Sequence, residues 1–108
     1  MELDKLRDEL KAVTFDSKRL DCDNHFEAVI IKDELEKLVK RLENVFGKPV
    51  WPSGKRLSFQ LEEAIKSYGG IMPGQTLYFL EEEKKEVFAM LWPWQDGVHT
   101  TVKIISRV

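Results

Sequence analysis

From Thr76 onward the chain consists of three segments rich in β-branched and aromatic residues, Thr76–Glu82, Val87–Trp94 and Val98–Ile105. The last two are separated by Asp96-Gly97, a dipeptide suited to a two-residue hairpin turn. Because side chains alternate across a strand, a reversal at that point decides which residues share a face. Leu91 then meets Val102 and Ala89 meets Ile104, an apolar pairing that belongs in a core. On the opposite face Trp94 meets His99, Trp92 meets Thr101, Met90 meets Lys103 and Phe88 meets Ile105. A preceding turn at Lys84-Lys85 sets Leu80 against Ala89 and Tyr78 against Leu91, and it sends Leu77 and Phe79 to the face of Met90 and Trp92. The sheet therefore has two apolar faces, and the second needs a cover: a helix, another subunit or a ligand. Pro93 cannot donate to a ladder, so the Trp92-Pro93-Trp94 stretch belongs near a rim or strand end.

The first two thirds of the chain supply helices. Leu3, Leu6, Leu10 and Val13 recur at helical spacing, which predicts an amphipathic helix ending near Thr14. The pattern then breaks between Phe15 and Asn24, with Asp23-Asn24 as a turn before the β-branched strand Phe26–Ile31. Asp33 is placed to cap a helix whose stripe is Leu35, Leu38, Val39, Leu42, Val45 and Phe46, stopped by Gly47 and Pro49. Ser58 caps a further helix with Leu61, Ala64, Ile65 and Tyr68 on one side, ending at Gly69-Gly70. Pro73-Gly74 forms the turn into the strands. These elements make a single α+β domain over residues 1–108. It has an antiparallel C-terminal three-stranded meander and a strand at 26–31, packed against two or three amphipathic helices.

Composition narrows the possible functions. With 43% apolar and 33% charged residues the chain is a folded domain, and a formal net charge of −2 gives no positive field to gather nucleic acid. The first residues lack a secretory pattern, and no apolar run approaches the length of a membrane span. Cys22 is the sole cysteine, which excludes an internal disulfide and, with the missing leader, makes a cytoplasmic location the expectation. The cluster Asp21-Cys22-Asp23-Asn24-His25 reads as a turn, since no second His/Cys pair completes a metal site; neither metal nor cofactor is expected. The Glu81–Glu86 run reads as a solvated hairpin tip.

Two candidate sites follow. The first is the aromatic sheet face, Trp92, Trp94, Met90 and His99 with Lys103 at its edge, where two indoles offer rigid contact area and N–H donors to a protein partner or a second copy of the chain. Against this, a helix, with Asp33–Phe46 the nearest choice, packs over the same side chains and makes them a second core layer. The second candidate is an anion site at Trp51, Lys55, Arg56 and Ser58, where a helix N-terminus and two cations converge. It is not a nucleotide-triphosphate loop, because Arg56 stands where a Ser or Thr must follow the lysine. The expected function is a non-catalytic interaction or self-association module. The alternative is a small anionic-ligand binder or minor enzyme with its site near residues 51–58.

Overall fold

A computed structural model describes residues 2–22, 24–52, 57–82 and 84–107. The elements in order are α1 (Glu2–Leu10), β1 (Ser17–Asp21), β2 (His25–Ile31), α2 (Lys32–Phe46), α3 (Phe59–Lys66), β3 (Thr76–Glu82), β4 (Lys85–Pro93) and β5 (His99–Arg107). The strands form one antiparallel sheet in the order β1-β2-β5-β4-β3. The α+β class is as anticipated, but the sheet has five strands rather than a three-stranded meander with one strand beside it. The added strand, Ser-Lys-Arg-Leu-Asp, is exposed at every position, so it has no apolar alternation to reveal it. It is an edge strand, irregular between Lys18 and Leu20, and its bulge and cations discourage a further strand from pairing there.

The β4–β5 register pairs Leu91 with Val102, Met90 with Lys103 and Trp92 with Thr101, as the parity argument requires. The turn itself differs from the two-residue form. Trp94 N–H donates to the His99 carbonyl at 2.8 Å and Gly97 N–H to the Trp94 carbonyl at 3.3 Å, so Gln95–Val98 form a longer loop with Gly97 at φ +71°. Both loops are centred between Asp96 and Gly97, which is why the register is unchanged. The longer loop is held by Asp96, whose Oδ1 accepts from Val98 N at 2.8 Å and His99 N at 3.0 Å. In the β3–β4 hairpin Tyr78 pairs with Ala89 and Leu80 with Val87, two residues away from the pairing set by a Lys84-Lys85 turn. The ladder runs on to Glu82 and Lys85, so its centre lies one residue earlier in the chain. A shift of two keeps every side chain on its face.

The first sheet face carries Phe26, Ala28, Ile30, Tyr78, Ala89, Leu91, Val102 and Ile104, which are buried against Leu6 of α1 and Leu38 and Leu42 of α2. Helix α2 therefore covers the face opposite the one expected of it. The second face is covered by α3, where Ala64 and Ile65 pack on Leu77, Phe88, Met90 and Ile105. Asp33 does not cap α2 but lies in its first turn. Strand β2 passes directly into the helix, and Lys32 N–H, one of the first-turn donors without an intrahelical partner, donates to the Val98 carbonyl at 2.8 Å. Ser58 does cap α3, its Oγ accepting from Leu61 N at 3.2 Å. Pro73-Gly74 makes the expected turn, with Gln75 N–H donating to the Met72 carbonyl at 3.0 Å and Gly74 at φ +87°.

Candidate functional site

The apolar cluster beneath α3 takes its sheet residues from β3, β4 and Ile105 of β5, and none from β1 or β2 among the described residues. The second face is thus divided. One half is core, and the other, over β1, β2 and the start of β5, is surfaced by polar and aromatic side chains lying across one another.

The boundary runs between the two tryptophans. Trp92 is half-buried, with the edge of its indole against the backbone of Gly69. The Lys103 ammonium stands 4.2 Å from its ring centroid, and Nζ donates to the Tyr68 carbonyl at 3.2 Å. Trp92 Nε1 is buried without a hydrogen-bond partner. Met90 is fully buried under α3 and cannot touch a partner, a correction to its place among the binding candidates. Lys103 is also largely enclosed, its side chain 15% exposed.

Trp94 is different. It is 38% exposed, yet its Nε1 donates to Thr101 Oγ1 at 2.8 Å and its ring lies tilted on His99 at 4.8 Å between centroids. The Arg19 guanidinium stands 5.6 Å from the same indole. His99 Nδ1 is 2.6 Å from Asp96 Oδ2, and its Nε2 is 3.9 Å from Asp16 Oδ2. Beside this group Glu27 gathers three cation-forming side chains: Lys103 at 3.6 Å, His25 at 3.8 Å and Arg19 at 3.9 Å. The result is an aromatic anchor held in place by its neighbours, with both signs of charge around it.

Sequence reasoning brought Trp94, His99 and Lys103 to one face but missed Asp16, Arg19 and Glu27. Arg19 reaches Trp94 from an unread edge strand, at the irregularity between Lys18 and Leu20. Glu27 was legible as part of β2, but its partners required the β2–β5 pairing of Glu27 with Lys103.

Of the other candidate group, Trp51 is tied to β3: its carbonyl accepts from Leu77 N at 2.9 Å and its N–H donates to the Leu77 carbonyl at 3.3 Å. The Trp51-Pro52 peptide is cis. The Ser58 hydroxyl is engaged in capping α3. Lys55 and Arg56 lie outside the described residues. Cys22 is exposed. Among the described residues no group of three or more His, Cys, Asp or Glu side chains is arranged to hold a metal ion, and no helix is long and apolar enough to cross a membrane.

Two predictions belong to this region. Gly69 has φ +106°, and a Cβ there would stand 2.6 Å from the far edge of the Trp92 ring. That ring is rigid and has Lys103 over it, so it has little freedom to yield. Gly69→Ala lowers stability by about 1–3 kcal/mol, the cost of a strained backbone position, as urea unfolding will measure. The backbone N–H groups of His99 and Val98, followed by the His99 side chain, hold the Asp96 carboxyl down from 3.8 to about 2. Because the native value is depressed, the stabilisation is present above about pH 4 and is lost as pH falls toward 2. Asp96→Ala removes this limb of the acid-unfolding profile and lowers the thermal midpoint at neutral pH.

The fold and this surface define a small α+β domain built on one antiparallel sheet, with one face covered and the other covered over half its width. Comparison with protein-family models, curated proteins and solved structures returns no match.

Proposed function

We propose that this protein is a non-catalytic interaction module that acts through the uncovered half of its second sheet face, with Trp94 as the anchor and a second copy of the chain as the occupant. The observation that carries this is the state of Trp94: a large side chain 38% exposed to solvent but fixed by Thr101, His99 and Arg19. An anchor held in its binding geometry loses little entropy on contact. The charged groups around it are occupied with one another, Glu27 with its three neighbours and Asp96 with His99, which suits a preorganised contact surface.

Charge argues for the second copy. The patch bears Arg19 beside Glu27 and Asp16, so a second copy related by a two-fold axis displaced from Arg19 sets this cation of one protomer against the acids of the other. A strongly acidic or basic partner would meet like charge from part of this set.

The test is solution mass by light scattering up to about 1 mM protein, where dimers as weak as about −4 kcal/mol still register. The wild type dimerises, while Trp94→Ala and Arg19→Glu remain monomeric with unchanged circular dichroism. A wild type monomeric throughout the range, or an Arg19→Glu variant that dimerises as tightly as the wild type, overturns the proposal.

A further inference from the structure

Beside Trp94, His99 Nδ1 lies 2.6 Å from Asp96 Oδ2. A carboxylate can only accept, so Nδ1 carries the ring proton and the free lone pair of the neutral imidazole stands on Nε2. That nitrogen is 3.9 Å from Asp16 Oδ2, beyond hydrogen-bond reach, and both side chains are open to solvent. In a tetrahedral zinc site an imidazole nitrogen and a carboxylate oxygen stand about 3.3 Å apart, a gap that a small rotation of the exposed Asp16 side chain closes. Behind the imidazole, Asp96 takes the place of the carboxylate that orients a zinc-ligating histidine through its other N–H. Asp96 is itself held by the Val98 and His99 backbone N–H groups.

The other histidine lacks this setting. His25 Nε2 stands 3.8 Å from Glu27 Oε1, a similar spacing, but the Lys103 ammonium is 3.6 Å from the same oxygen and Arg19 is 3.9 Å from its twin. His25 Nε2 is also buried. A divalent cation there meets charge of its own sign, whereas beside His99 it meets the carboxylates of Asp16 and Asp96. One chain supplies two donors, half of what zinc takes, and among the described residues no third His, Cys, Asp or Glu completes the set. A two-fold axis beside His99 brings the other two from a second copy.

We infer that a zinc ion binds between two copies of the chain, held by His99 Nε2 and an Asp16 carboxylate oxygen from each, and strengthens their association. The inference rests on the two-copy reading of the Trp94 surface, and because the His99 ring lies on Trp94 a metal at Nε2 sits within that contact. Chelator-treated full-length protein is compared with the same sample carrying zinc chloride at neutral pH, by light scattering and by calorimetric titration. Zinc binds at one ion per two chains and tightens dimerisation at least about ten-fold, whereas magnesium chloride, which prefers an all-oxygen shell, does not. Each variant is read against itself with and without zinc. Asp16→Ala and His99→Phe, the latter keeping a ring on Trp94, lose the response; His25→Ala and Cys22→Ser retain it. A metal-free dimer that zinc leaves unchanged, binding of one zinc per chain, or an Asp16→Ala variant that responds as fully as the wild type overturns the zinc site and leaves the dimer standing. A chain dimeric only with zinc keeps the zinc site and overturns metal-free self-association, and one monomeric under both conditions overturns both.

Discussion

Phe88→Ala lowers the free energy of unfolding by about 3–5 kcal/mol, the usual cost of deleting a fully buried phenyl ring. Phe88 has no exposed surface and lies at the centre of the layer beneath α3, 5.1 Å from the Phe79 ring and 6.4 Å from the Tyr68 ring, with the Arg107 guanidinium 5.6 Å away. Helix α3 buries two side chains of its own over this layer, Ala64 and Ile65. For a domain of this size the loss is a large share of a total of about 5–15 kcal/mol. Urea unfolding followed by circular dichroism measures it, and native tryptophan emission shifts to the red as the cover over Trp92 loosens. Trp94→Ala, on the same face of the same strand pair, costs about 1 kcal/mol, the worth of its hydrogen bond to Thr101. Comparable losses at the two positions would mean that the division of this face into core and contact surface is wrong.

Above pH 10 the protein loses up to about 3 kcal/mol of stability through one side chain, Tyr78. Burial, with a smaller contribution from the Glu43 carboxylate, pushes its phenol from 10.0 up to about 12. The side chain is 1% exposed on the first face and stands 5.8 Å from the Phe46 ring of α2. The native state therefore holds the phenolic proton more tightly than the unfolded chain does. The stabilisation is complete below pH 10 and disappears as pH rises from about 10 to 12, at about 1.4 kcal/mol for each pH unit. Urea midpoints recorded across this window fall steeply in the wild type. In Tyr78→Phe the excess slope over the general alkaline trend is gone; identical slopes in the two proteins would place the phenol in water.

Residues 76–105 show how far local chemistry reaches. Alternation has a period of two, so a register error of two, such as that in the β3–β4 hairpin, leaves each side chain on its face. The capping of α3 by Ser58 and the stop of α2 at Gly47, with φ +75°, are equally local and were equally readable. The entry into α2 was not, since the N–H it must satisfy is taken by the Val98 carbonyl, sixty-odd residues further along the chain.

The aromatic face marks the limit. Trp92 and Trp94 are two residues apart with the same side chain and the same parity, yet one is wedged between Gly69 and Lys103 and the other looks outward beside Arg19. Their own strand cannot distinguish them. What separates them is where α3 and Tyr68–Ile71 come to rest, and how an edge strand with no apolar pattern brings Arg19 back across β2. The sequence alone determined the α+β class, the helix stripes and the face of each residue in β3, β4 and β5, because these depend on bonded neighbours and on the pleat. The tertiary structure decided which helix covers which face, the five-strand order and the outward turn of Trp94. Those outcomes depend on packing between segments far apart in the chain, which no local periodicity encodes.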